Sequence, residues 1–217
     1  FDLTEQFKAI SKEVNKDVLK TLKSGQYILG KNVNKLESLF ASFLNVKYAI
    51  SCNSGTDALI LSLRAAGIGE NDEVITTPFT YFATAEAIAL VGAKPIFIDI
   101  DPETYNIDVN QIEKHITKRT KGIMPVHIFG QSCDIDKIVM ICKKYKLKLI
   151  EDCAQSFGAK RNDKYTGTFG DYGCYSFFPT KNLGCAGDGG MIVTNSKSNM
   201  RFLKKLRNHG GLIRNVH

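Results

Sequence analysis

Apolar and polar positions along this chain follow two different periods. From Phe1 to Ser24, Lys and Glu alternate with apolar residues at helical spacing, which predicts an amphipathic helix. Gly25-Gln26-Tyr27-Ile28-Leu29-Gly30 breaks that pattern. A second amphipathic helix is predicted at roughly Val33–Leu44, with Val33, Leu36, Leu39, Phe40 and Phe43 on one stripe. Short apolar runs then predict strands at Tyr48–Ser51, Glu73–Thr76, Pro95–Ile98, Gly122–Val126, Lys148–Glu151, Gly173–Phe177 and Met191–Thr194. Between them, Asp57–Ala66, Thr84–Val91 and Ile135–Tyr145 have helical periodicity. Such alternation predicts an α/β fold, a mostly parallel seven-stranded sheet sandwiched by helices. Ligands of open α/β sheets sit at the carboxyl ends of the strands, so the residues just after each strand are where chemistry is to be sought.

Composition narrows the class. The chain has 217 residues, enough for one sizeable core, with 43% hydrophobic and 24% charged residues. No apolar run approaches the roughly 20 residues that span a bilayer, and Phe1–Ser24 is too charged for a signal peptide. The net charge of +7 suits nucleic acid or an anionic metabolite. Lys143-Lys144 and Lys204-Lys205 lie beside apolar residues on predicted helices and read as solvated faces. Without zinc-finger spacing, an RNP signature or an arginine-rich arm, neither nucleic acid nor membrane is expected as a partner. The cysteines (Cys52, Cys133, Cys142, Cys153, Cys174 and Cys185) show no CxxC spacing. They point to a reduced, cytoplasmic protein with no disulfide framework and no metal.

Three strand ends carry candidate chemistry. After Ala49-Ile50-Ser51 comes Asn53-Ser54-Gly55-Thr56-Asp57-Ala58-Leu59, where backbone N–H groups and a hydroxyl converge at a helix start. This is a phosphate cradle or an ordinary N-cap. It is not a Walker loop, and no GxGxxG fingerprint is present, so a nicotinamide oxidoreductase loses its main support. The strand Leu147–Ile150 runs into Glu151-Asp152-Cys153-Ala154-Gln155, and an acid there can hold a ring nitrogen, a metal or a ribose hydroxyl, or cap a helix. Lys181 follows the apolar run Cys174–Phe178 in a turn punctuated by Pro179 and Gly184. It is a candidate nucleophile toward a carbonyl, or a loop lysine. Together, a phosphate cradle, a strand-end acid and a loop lysine match the needs of pyridoxal 5′-phosphate (PLP).

The chain resembles the DegT/DnrJ/EryC1/StrS family of sugar aminotransferases, fold-type I PLP enzymes, over essentially its whole length. The matching stretches include Gly25–Gly30, Ser54–Leu59, Pro95–Tyr105, Glu151–Ala159, Ser176–Gly184 and Gly187–Gly190. The resemblance implies that Lys181 carries PLP as a Schiff base and that Asp152 pairs with the pyridinium nitrogen. It places Gln155 near the ring 3-hydroxyl and gives the phosphate to Gly55, Thr56 and Ser176. Tyr81 becomes the ring-stacking aromatic, a place that Phe79 or Phe82 can also take. His127 is read as structural, and His209 has no assigned role.

The implied reaction moves an amino group from L-glutamate to a keto group of a UDP- or dTDP-linked hexose, in a ping-pong cycle within a homodimer. Details such as Thr80–Glu86 and Leu183-Gly184-Cys185 resemble members acting on 3-keto sugars. Some members replace the lysine by His and act as dehydratases; this chain keeps Lys181. A non-catalytic regulator or scaffold on the same fold is the other reading. The chain lacks an initiator Met and stops at Arg214-Asn215-Val216-His217 without domain-ending punctuation. The expected organisation is a helical segment, residues 1–24, and a PLP-binding large domain, residues 25–217, cut before a C-terminal small domain.

Overall fold

The computed structural model describes residues 2–212; the last five residues of the expected large domain lie outside them. Helix α1, Leu3–Ser24, is capped by the Asp2 carboxylate accepting from the Thr4 N–H, and it ends at Gly25, whose φ of 66° is cheap only for glycine. None of its residues is buried. Helix α2, Lys31–Leu44, by contrast buries Phe40 and Leu44.

The strands follow as β1 (Tyr48–Cys52), β2 (Glu73–Thr76), β3 (Lys94–Phe97), β4 (Thr120–Ile123) and β5 (Lys148–Asp152), then a two-residue-per-strand hairpin, β6 (Lys160–Arg161) and β7 (Lys164–Tyr165), and finally β8 (Tyr172–Ser176) and β9 (Gly190–Thr194). The remaining helices are α3 (Gly55–Ala65), α4 (Ala83–Leu90), the single turn α5 (Val109–Ile112), α6 (Ile135–Tyr145) and α7 (Lys197–Arg207).

Seven strands form one sheet in the order β1-β9-β8-β5-β4-β2-β3. The pairs from β8 to β3 are parallel, whereas β9 runs antiparallel to both β1 and β8. Consecutive strand residues point to opposite faces, so each buried strand feeds two cores. Val74, Met124, Ile150, Cys174 and Ile192 join Leu59 and Leu63 of α3, Ile88 of α4 and Leu203 of α7 on one face. On the other, Ile75, Ile123 and Leu149 meet Ile138 and Ile141 of α6, while Tyr175, Met191 and Val193 meet Phe40 and Leu44 of α2. Helices cover both faces, as the alternating pattern requires.

Boundaries moved in one informative place. The fourth strand ends at Ile123 rather than Val126. Pro125 has no N–H for a ladder, yet its carbonyl accepts from the Asp152 N–H at 2.9 Å, and Val126 bridges Asp152 in isolation. The chain therefore still escorts β5 to its end. The β6–β7 hairpin and α5 were not anticipated, because elements of two to four residues leave no periodicity to read.

Candidate active site

At the carboxyl ends of β1, β2, β5 and β8 the loops enclose a cavity of about 560 Å³. All seven residues singled out from the sequence (Gly55, Thr56, Tyr81, Asp152, Gln155, Ser176 and Lys181) line it. Phe79, Phe82, His127 and His209 do not.

The floor near β1 is the start of α3. Ser54, with extended backbone, caps the helix by accepting the Asp57 N–H at 3.0 Å. Capping leaves other first-turn N–H groups of Gly55 and Thr56 without intrahelical partners, at the positive end of the helix dipole. A Cβ placed on Gly55 would come 2.6 Å from the Ser176 Cβ and 3.1 Å from its Oγ. Glycine thus lets α3 close against the end of β8, so two hydroxyls (Thr56, Ser176) and the helix N-terminus share one wall.

Lys181 lies in the turn after β8. Its N–H donates to the Phe178 carbonyl at 2.8 Å, and Cys185 N–H donates to Phe177 O at 2.8 Å, folding the segment back on the strand. A Cβ on Gly184 would collide with the Pro179 carbonyl, so this turn too depends on close backbone approach.

Asp152 ends β5 with only 5% of its surface exposed. Its Oδ1 accepts the Ala154 N–H at 3.1 Å, and its Oδ2 accepts the Thr84 hydroxyl at 2.8 Å. Burial pushes its pKa above the ordinary carboxylate value, opposed by those two hydrogen bonds and by the charge of Lys181. Thr84, second residue of α4, had been read only as helix; its contact with Asp152 spans 68 residues of sequence.

The neighbouring Glu151 points the other way. Its two oxygens accept the N–H groups of Gly167, Phe169 and Gly170, each at 2.8 Å, and meet His127 Nε2 at 3.0 Å. His127 Nδ1 accepts from the Cys133 N–H at 3.2 Å, so Nε2 carries the proton and donates. His127, Glu151 and Cys153 have ligand atoms within 4.8 Å of one another, the geometry of a metal trio. Glu151 is, however, already saturated with donors, and the group serves to pin the loop around residues 167–170.

The aromatic alternatives separate as well. Phe79 packs on Tyr105 and Phe129, with centroids 5.7 and 6.2 Å away, whereas Tyr81 is 78% exposed on the cavity rim.

Residues 8–215 match the DegT/DnrJ/EryC1/StrS aminotransferase family. The chain belongs to this family. It is 47% identical to the "Pleiotropic regulatory protein" of Geobacillus stearothermophilus, over all of this chain and 58% of that protein. It is 48% identical to the UDP-2-acetamido-2-deoxy-3-oxo-D-glucuronate aminotransferase of Pseudomonas aeruginosa, over 96% of this chain and 58% of that one. Among solved structures, DesV of S. venezuelae superposes with a TM-score of 0.96 at 36% identity, covering 100% of this chain and 58% of DesV. NtdA of Bacillus subtilis, solved with bound cofactor PMP, gives 0.85 at 34% identity over 90% of this chain and 44% of NtdA. The chain therefore spans between 44% and 58% of the length of these relatives. The family is PLP-dependent, and the donor set of the cavity fits that cofactor: hydroxyls and helix N–H groups for a phosphate, a buried carboxylate for a ring N–H, and a primary amine.

Proposed function

We propose that this chain is the cofactor-binding large domain of a PLP-dependent aminotransferase that moves an amino group from L-glutamate to a keto group of a nucleotide-linked hexose. The observation that carries the reading is the single cavity shared by Lys181, Asp152 and the Gly55–Thr56–Ser176 wall.

When bound, PLP supplies an electron sink for the carbanion formed at the substrate carbon. The chain's own residues do the rest. Thr56, Ser176 and the first-turn N–H groups of α3 hold the phosphate. The Asp152 carboxylate accepts the ring N–H and keeps that nitrogen protonated. Tyr81 offers a ring face, and Gln155 a polar group beside the 3-hydroxyl. Lys181 Nζ would anchor the cofactor and would take a proton from the substrate carbon and return it.

In this reading a UDP- or dTDP-linked keto sugar is the acceptor, and the +7 charge of the chain favours a diphosphate-bearing substrate. A further small domain and a second copy of the chain complete the site, and the enzyme works in the cytoplasm. Among the described residues no helix is long and apolar enough to cross a membrane. A second reading, a regulator that retains the fold, is favoured by the name of the Geobacillus relative. The presence of Lys181 speaks for amino transfer over dehydration.

Incubating the full-length protein with PLP, reducing it with borohydride and mapping the modified peptide by mass spectrometry tests this. A phosphopyridoxyl adduct confined to Lys181 is expected. No adduct, or adducts spread over many lysines, would put the regulator reading first.

A further inference from the structure

We infer that Thr84 is a positioning residue for Asp152, and that a hydroxyl relay from Thr80 through Thr84 fixes the direction in which the carboxylate faces the cavity. The inference rests on the cofactor reading above and deepens it.

Thr84 is only 1% exposed, so its hydroxyl must find partners inside the protein. A helical threonine most often bonds the carbonyl one turn back. Thr84 instead places Oγ1 2.8 Å from Asp152 Oδ2 and 2.8 Å from Thr80 Oγ1. An ionised carboxylate only accepts, so the single Thr84 proton goes to Asp152, and Thr80 must donate to Thr84. The relay thus has one direction, Thr80 to Thr84 to Asp152. Thr80, Thr84 and Asp152 all line the cavity.

The relay matters because of what Asp152 lacks. Among the described residues no cation is in ion-pair contact with it. The charge of Lys181 acts on it through space, and the thiol of Cys174 is close by. Its hydrogen bonds are one backbone N–H on Oδ1 and one hydroxyl on Oδ2. Each oxygen keeps a second lone pair for a donor arriving from the cavity. Thr84 is the side chain that prevents the carboxylate from rotating or taking up a proton before that donor arrives.

The test uses full-length protein, with Thr84→Val as the near-isosteric loss of the hydroxyl, Thr84→Ser as its return and Thr80→Val one step back along the relay. Two readouts need no turnover: retention of PLP on gel filtration, and the absorption spectrum of the bound cofactor against pH. T84V is expected to retain PLP about tenfold less tightly, the worth of one hydrogen bond to a charged group. Its spectral transition should move to higher pH, because a carboxylate deprived of a donor takes up its proton sooner as pH falls. T84S should restore both readouts, and T80V should shift both in the same direction by less. Should T84V fail to fold by circular dichroism, T80V and T84S decide on the same criteria. Wild-type-like retention and titration in folded T84V would overturn the inference while leaving the cofactor reading intact. Wild-type protein that takes up no PLP would remove the cofactor reading, and the inference with it.

Discussion

Gly55, the first residue of α3, rests so close to Ser176, the last of β8, that a Cβ on the glycine would stand 2.6 Å from the serine's. The contact joins the two elements that form the proposed phosphate wall, so the side chain absent at residue 55 is as much a part of the site as the hydroxyl at residue 176.

Gly55→Ala should therefore act twice. Overpacking at a rigid contact costs about 1–3 kcal/mol, which for a domain of this size lowers Tm by roughly 2–4 °C per kcal/mol. PLP affinity should fall further than stability does, since the wall itself is displaced. Thermal melts with and without PLP measure both, and an unchanged ligand-induced shift in Tm would contradict the assignment of this wall to phosphate.

Asp152→Asn separates stability from function. Burial raises the Asp152 pKa, so the folded chain binds that proton more tightly than the unfolded one. The resulting penalty is absent below the ordinary carboxylate range and grows as pH rises above it. Asn removes it, and can keep a bond to Thr84 by donating and one from the Ala154 N–H by accepting. The cofactor-free variant should melt at or above the wild-type Tm at neutral pH, with the difference vanishing at acid pH. Amino transfer by the full-length variant should nonetheless fall about a hundredfold or more, because the ring nitrogen has lost its counter-ion.

Glu151→Gln should show the reverse. The glutamine amide would turn donors toward backbone N–H groups that now donate to a carboxylate, leaving buried groups unsatisfied at a cost of about 3 kcal/mol. A Tm lower by roughly 6–12 °C is expected, with PLP uptake at low temperature little changed. A loss of PLP binding without a loss of stability would place Glu151 in the site after all.

The cysteines give a labelling pattern. Burial pushes the thiols of Cys52 and Cys142 up to about 12 and that of Cys153 up to about 11, and Cys174 well above its ordinary value. Cys133 is buried, and Cys185 alone is exposed. Since the thiolate is the reactive form, brief treatment with iodoacetamide at neutral pH should modify Cys185 ahead of the other five, as read by peptide mass spectrometry.

Most strands and helices were legible because they bury one face or both, and burial writes itself into the sequence as periodicity; α1 shows the same amphipathic pattern although none of its residues is buried. The strand-end acids could be found for the same reason, but their division of labour could not. Glu151 and Asp152 look alike in sequence; only the pleat sends one into the loop around residues 167–170 and the other into the cavity. The link from Thr84 to Asp152 and the approach of Gly55 to Ser176 join distant segments, and nothing local in either partner announces them. The early end of β4 was in principle readable, since Pro125 stood inside the predicted run.

The place of β9 in the sheet also sets a timetable for synthesis. Tyr48 pairs with Thr194 and Cys52 with Gly190, and β9 is also the strand that joins β1 to the rest of the sheet. While the ribosome is still making the parallel strands, β1 has no neighbour to pair with, and the wall formed by α3 and β8 cannot be locked in place. Contacts this remote in sequence close slowly. The nascent chain thus carries an unpaired β1 until β9 has been made, and that interval is when exposed strand edges leave it most prone to misassociation.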